Sequence, residues 1–255
     1  MGEVFDIETG VVELVADPDE PDAWTLIVNG MPQSHVNLAD PVMIAFDYVR
    51  RSLKIIETLF PGDDPLRVLH LGGGGLTLPR CLSLLRPGSE QLVVEIDALL
   101  ADLVAERLPL HPDARVTVTI GDARDALRRV EPEYYDLIIA DIFSGSAVPR
   151  HVTNAAFVKL VAAALDPDGV YLANVIDGRP LVFARSLTLA ARDVFGDAAL
   201  LAEEDVVREE ARGNLLVVGS ARDLRGLDAL PEDDLYDLRC LRGKELSQFL
   251  RGHEF

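Results

Sequence analysis

Carboxylates stand where the apolar runs of this sequence stop: Glu95 in "QLVVEI", Asp122 in "GDARD" just after "RVTVTI", and Asp141 after "YDLIIA". Another run, "RVLHL", stops at Gly72, Gly73, Gly74 and Gly75 and gives way to a helix-prone segment. A strand that ends in glycines and turns into a helix points amide groups and the helix N-terminus at a nucleotide or nucleoside. The same glycines would also serve a tight turn that needs positive φ and binds nothing. Glu95 follows the glycines by about 20 residues, the separation at which an acid reaches a ribose diol, and a carboxylate can accept from both hydroxyls. Asp122 could accept from an adenine amino group while the backbone of Ala123 meets the ring nitrogen, or it could simply cap the next helix. Asp141 comes directly after apolar Leu137, Ile138, Ile139 and Ala140, a setting in which a carboxyl's proton affinity is readily shifted toward acid–base work.

These residues need a scaffold that gathers strand ends. From Arg67 onward the pattern alternates: strands at "RVLHL", "QLVVEI", "RVTVTI", "YDLIIAD" and "GVYLANVI", with helices after the glycines and at 98–107, 125–130, 154–165 and 180–194. Such alternation predicts an α/β fold with a parallel sheet covered on both faces, and ligands then sit beyond the carboxyl ends of the strands. Two later runs, "ALLAEEDV" and "GNLLVVGS", have no predicted helix between them and should close the sheet as an antiparallel pair. The expected architecture is a Rossmann-like class I methyltransferase fold with a seven-stranded, mostly parallel sheet whose last strand is antiparallel. Residues 1–40 read as a small β-hairpin region, with "VVELVAD" and "WTLIVNG" joined by the turn residues "PDEPDA". A helix is predicted from Pro41 through Phe60. Residues 41–222 form the expected catalytic domain, and 223–255 a charged helical tail.

Composition narrows the function classes. The formal charge of −19 over 255 residues opposes docking along a polyanion, so a nucleic-acid partner is not expected; small cations are favoured. No apolar run reaches the length of a membrane span, and the acidic "MGEVFDIETG" start is unlike a signal peptide, so a cytoplasmic protein without a membrane partner is expected. Cys81 and Cys240 are far apart and the five histidines scattered, which predicts neither a disulfide framework nor a metal site. His70, inside a strand, reads as a satisfied interior histidine.

The order of these motifs resembles the spermidine synthase family, the polyamine aminopropyltransferases, over most of the chain. "LIVNGMPQSH" resembles that family's N-terminal "LDG" and following glutamine, "GGGG" its "GGGDGG", "VVEID" its strand-two acid, "GDARD" its "GD", and "ADIFSGSAVP" its "D-S-S-D-P" catalytic loop. The resemblance implies decarboxylated S-adenosylmethionine as donor co-substrate, no metal, a small cationic amine as acceptor, and a homodimer built through the N-terminal hairpin. It implies Gln33 on the nucleoside side, Gly72, Gly73 and Gly74 around the donor, Glu95 at the ribose, Asp122 and Ala123 at the adenine, and Asp141 as general base.

The pattern departs from the family on the amine side. The acid of the family's glycine loop falls on Gly75, the second acid of its catalytic loop on Ser144, and its aromatic position on Ile44, with Tyr48 one helical turn away as a substitute. His35, Tyr48 and Ser144 are the substrate-side candidates, and Asp40, Asp47 and Asp177 are further acids that could hold an amine. Loss of the glycine-loop acid tilts the pocket toward ordinary S-adenosylmethionine, whose carboxylate an acid would repel; Thr77 and Arg80 are available to it, with Arg80 on the solvent face of its helix as the alternative. The alternatives are therefore an S-adenosylmethionine-dependent methyltransferase acting on a small molecule, or a non-catalytic nucleoside-binding relative. "FSGSAVPRH", 143–151, has the composition of a loop that closes over substrate or of a plain connection.

Overall fold

The computed structural model describes residues 2–142, 152, 154–230 and 237–251; Ser144 and the rest of 143–151 lie outside them. The N-terminal region is a sheet of four antiparallel strands in sequential order, where a single hairpin was expected: β1 (Glu3–Ile7), β2 (Gly10–Ala16), β3 (Ala23–Val28) and β4 (Met31–Asn37). The hairpin of the sequence is its central pair. β4 is hidden from pattern reading because its buried positions include Ser34, His35 and Asn37 and because it contains Pro32. Asn29 and Gly30, both with positive φ, form the two-residue turn into β4, the dipeptide that matches strand twist.

The main sheet has eight strands in the order β12-β10-β11-β9-β8-β5-β6-β7. Its parallel part comprises β5 (Arg67–Leu71), β6 (Glu90–Glu95), β7 (Val116–Ile120), β8 (Tyr135–Ala140) and β9 (Leu165–Asp177). The antiparallel part comprises β10 (Asp197–Glu203), β11 (Gly213–Ser220) and β12 (Leu238–Leu241). The expected closing pair is present, and the one-turn helix α7 (Glu204–Val207) lies between its strands. The eighth strand comes from the segment read as a helical tail: β12 pairs with β10, and only then does a helix, α8 (Gly243–Phe249), follow.

Helices cover both faces. α5 (Ala155–Ala164) and α6 (Val182–Phe195) bury Phe157, Val161, Leu187 and Ala191 on one side, against Tyr171, Val175 and Val217. α1 (Asp47–Leu59) and α2 (Thr77–Leu85) bury Ile55, Ile56 and Leu82 on the other, against Val68, Ile139, Leu172 and Leu216. α3 (Ala98–Arg107) packs Leu100, Leu103 and Val104 on the small sheet, and α4 (Ala123–Leu127) leads on to β8. α1 begins six residues later than predicted from Pro41 (47 − 41 = 6). The Asn37 side chain accepts the amides of Ala39 and Asp40, and Asp40 accepts that of Val42. Such side-chain bonds compete with helical ones.

Asp97 joins the small sheet to the main one. Its carboxylate caps α3 through the Leu100 amide (2.9 Å) and also accepts the amides of Glu8 and Thr9 and the Thr9 hydroxyl. Burial alone would raise its pKa, but the bonds from Leu100, Thr9 and Glu8 outweigh burial and hold it below the usual value. Asp97→Ala should lower the unfolding free energy by about 2–3 kcal/mol in urea titrations at neutral pH, the sum of a cap and two or three charge-assisted bonds. A depressed carboxyl stabilises the fold above its unfolded pKa and loses that contribution as pH falls through its folded value. The gap between wild type and Asp97→Asn should therefore be full at neutral pH and shrink below about pH 4.

Candidate active site

The carboxyl ends of β5, β6, β8 and β9 open into one cavity of about 1060 Å³, roofed by β4 and by the first turn of α1. The glycine loop and Asp141 meet in its wall. Gly72 donates to the Val94 carbonyl and Asp141 to that of Leu71; Gly72 has φ +98°, and a Cβ there would lie 2.2 Å from the Asp141 carbonyl oxygen. Only glycine allows the loop to pass so close to the next strand end.

The amides of the loop are not left pointing into the cavity, as the strand-glycine-helix pattern predicts. Gly73 and Gly74 donate to Glu95 Oε2 (2.8 and 3.2 Å), and Gly75 donates to Ser34 Oγ (2.9 Å). Glu95 Oε1 accepts the amides of Ile96 and Asp97 (2.8 and 3.0 Å). A carboxylate offers about four lone-pair sites, so the acid expected at the ribose is first the organiser of the loop. The loop supplies space and shape, and Gly72, Gly73 and Gly74 all line the cavity.

Gly121, Asp122 and Ala123 form the wall beyond β7. Asp122 Oδ1 accepts the amides of Arg124 and Asp125 (2.9 and 3.0 Å), which is the capping alternative the sequence left open, while the residue stays at the cavity surface. Gln33 lines the roof. His35 does not: it is buried, with its ring on the Thr25 hydroxyl (3.1 Å), and its carbonyl accepts from Thr77. His70 is the interior residue expected, its Nε2–H donating to Gln91 Oε1 (2.8 Å); the Gln91 amide nitrogen is held by Pro79 and Ser83. Burial pulls His70 down to about 4, so it is neutral. Arg80 is not on the solvent face of its helix but buried, and it donates to the carbonyls of Gly75, Pro109 and Leu108.

Asp141 is held from two sides. Tyr48 Oη donates to its Oδ2 (3.1 Å) and Asn174 Nδ2 to its Oδ1 (2.9 Å). Loss of water around the carboxyl raises its pKa, and the bonds from Asn174 and Tyr48 pull it the other way. Tyr48 is pushed well above the ordinary phenol range by burial and by the neighbouring carboxylate, so it remains a donor. The late start of α1 is what puts Tyr48 in the first turn, facing β8. Sequence reading missed Asn174; its signal was a lone amide in the apolar run "GVYLANVI", at the end of a strand where both faces should be apolar. Of the three further acids, Asp47 lines the cavity and pairs with Arg50, Asp177 accepts the amides of Gly178 and Ala184 at the start of α6, and Asp40 sits in the turn before α1. The far wall, also unread in the sequence, contains Arg51, Glu203, Arg212 and Asn214, with Arg51 Nη1 3.0 Å from Glu203 Oε1.

Residues 58–180 match the family model described as Spermine/spermidine synthase domain. This stretch, just under half of the chain, is similar to a spermine/spermidine synthase domain. Polyamine aminopropyltransferase of Vibrio vulnificus (strain CMCP6) is 32% identical over 156 residues, covering 60% of this chain and 50% of that one. Putrescine N-methyltransferase 2 of Nicotiana attenuata is 35% identical over 113 residues, 42% of this chain and 30% of that one. The chain thus spans half or less of the length of these curated relatives, both of them transferases. A probable spermidine synthase from Corynebacterium glutamicum ATCC 13032 superposes with a TM-score of 0.91 at 28% identity, covering 99% of this chain and 94% of that one. Gly75, at the end of the glycine loop, has no free room for a side chain. A Cβ on Gly75 would lie 2.8 Å from Ser34 Cβ and 3.1 Å from Val36 Cγ2. Gly75→Asp should therefore destabilise the fold by about 1–3 kcal/mol through overpacking, and adding Ser34→Gly should recover most of the loss; paired thermal melts check both.

Proposed function

We propose that the protein transfers an aminopropyl group from decarboxylated S-adenosylmethionine to a small amine acceptor, with Asp141 as the proton acceptor. The observation that supports this most directly is the Asp141 carboxylate in the cavity wall, oriented by Tyr48 and Asn174. In water the acceptor amine is protonated and has no lone pair to give. One proton passes to Asp141, the nitrogen attacks the carbon next to the sulfonium, the new C–N bond forms as the C–S bond breaks, and the electron pair leaves on sulfur as methylthioadenosine. Asp141 has the geometry and the raised proton affinity for its share of this, and holding both reactants in line supplies much of the remainder. The cavity walls carry Asp47, Glu95, Asp97, Asp122, Asp141 and Glu203 against Arg51 and Arg212. That excess of carboxylate favours a cationic donor and a cationic acceptor.

In this reading the nucleoside lies between Gln33, the glycine loop and the Asp122–Ala123 wall, and Glu95 meets the ribose at the edge of the amides it already holds. Exposed Val4 and Val11 on the small sheet suit a homodimer formed through that sheet. A second reading, methyl transfer from S-adenosylmethionine, is favoured by one observation: at Gly75, where the resemblance places an acid for the donor's ammonium, a serine hydroxyl stands and no carboxylate fits. The putrescine N-methyltransferase relative points the same way.

Titration calorimetry with decarboxylated S-adenosylmethionine, S-adenosylmethionine and methylthioadenosine, followed by product masses with a diamine acceptor, separates the two. Tighter binding of the decarboxylated donor and an aminopropyl mass increment are the expected results; preference for the ordinary donor and a methyl increment would replace the proposal by the second reading. Asp141→Asn should lower kcat about 10²- to 10⁴-fold while methylthioadenosine affinity stays within about twofold, since the nucleoside half of the cavity is untouched. The base acts only when ionised, so kcat should rise with pH through the Asp141 pKa. Tyr48→Phe removes a bond that favours the ionised form, and the acid limb of the profile should move to higher pH.

A further inference from the structure

At the acceptor end of the cavity two amide oxygens have no partner. Asn174 Oδ1 and Asn214 Oδ1 are buried and accept no hydrogen bond among the described residues, yet both side chains line the cavity. A buried acceptor left unmade costs about 1–3 kcal/mol, so two in one wall mark a place where a ligand's N–H groups belong. The orientation of Asn174 is set, because its Nδ2 faces Asp141 Oδ1 and its oxygen must face the other way.

Strand register places these groups. β9 and β11 pair with Asn174 opposite Leu216 and Asn214 opposite Ile176. Directly opposed residues of an antiparallel pair share a face, and the diagonal pair Asn174 and Asn214 then lies about 7–8 Å apart. On the other side β11 pairs with β10, the last registered pair being Ala202 with Leu215; one step further brings Glu203 beside Asn214. Glu203 is held there by buried Arg51. A nitrogen at Asp141 and Asn174 and a second nitrogen at Asn214 and Glu203 would be separated by roughly the length of a four-carbon chain at ordinary bond lengths.

We propose that Asn214, with Glu203 beside it, is the specificity-determining contact for the far end of the acceptor, accepting N–H groups from a second ammonium while Asp141 and Asn174 hold the reacting one. This rests on the amine-acceptor reading above. The Asn214 oxygen supplies a neutral acceptor, and the Glu203 carboxylate, already half-compensated by Arg51, supplies the charge preference.

The test is titration calorimetry of the full chain saturated with methylthioadenosine, using 1,4-diaminobutane and 1-aminobutane as probes. Wild type should bind the diamine about 10-fold or more tighter, the effect of one further hydrogen bond to a charged group. Asn214→Leu should remove that preference and leave monoamine binding unchanged. A leucine variant that keeps the preference, or a wild type that binds both amines alike or neither, overturns the proposal. Should Asn214→Leu lack a folded thermal transition, Asn214→Asp decides: it should tighten diamine binding selectively, and an equal change for both amines overturns the assignment. Turnover is read separately with both donors. Absence of alkylated product in the presence of selective diamine binding would reject the transfer reaction and leave the Asn214 site standing.

Discussion

The Glu95 carboxylate is the constraint from which the site is built. It accepts the amides of Gly73, Gly74, Ile96 and Asp97, and so ties the end of β6 to the loop that leaves β5. These are charge-assisted bonds in a protected setting, individually stronger than neutral ones. They fix a turn that glycine alone would leave loose, since glycine has the most conformational freedom to lose. With the loop gathered to one side, Gly72 can pass against the Asp141 carbonyl, and the space above the strand ends stays open. Asp97, the last residue of that cluster, extends the same hold to the Glu8–Thr9 turn of the small sheet, so roof and floor of the cavity share one anchor.

The two halves of the cavity are maintained by different physics. Around the glycine loop backbone shape dominates: glycines, a capped helix start at Asp122 and the polar strand β4. Around Asp141 and in the far wall side chains dominate, and their partners come from far along the chain: Tyr48 with Asp141, Asn174 with Asp141, Arg51 with Glu203. Loss of water around Asp141 raises its pKa, and its two donors pull it the other way.

Ser34 and Gly75 illustrate how the two sheets are fitted to each other. A loop of glycines leaves space that a neighbour must fill and amides that need partners. Here Ser34 fills both needs: its hydroxyl accepts the Gly75 amide, and its Cβ occupies the space a side chain would take. Gly75 is thus coupled to a residue on a different sheet, and neither position can be understood alone.

Sequence by itself determined the order of strands and helices, the parallel centre with its antiparallel closing pair, and the positions of the glycine loop, Glu95, Asp122 and Asp141. All of these are local: apolar runs of period two, strand-end acids and turn residues carry their meaning within a few neighbours. Tertiary structure decided the rest. It made Glu95 a clamp for the loop, turned His35 inward and buried Arg80, because each depends on which backbone groups lie unpaired nearby. It also added β1, β4 and β12, whose polar or short segments become strands only when a neighbour offers an edge. Above all it brought Tyr48, Asn174 and Asp141 together across 126 positions (174 − 48 = 126). Contacts at such separation are specified by sheet order and by the point where a helix begins, and neither is written in the residues that finally touch.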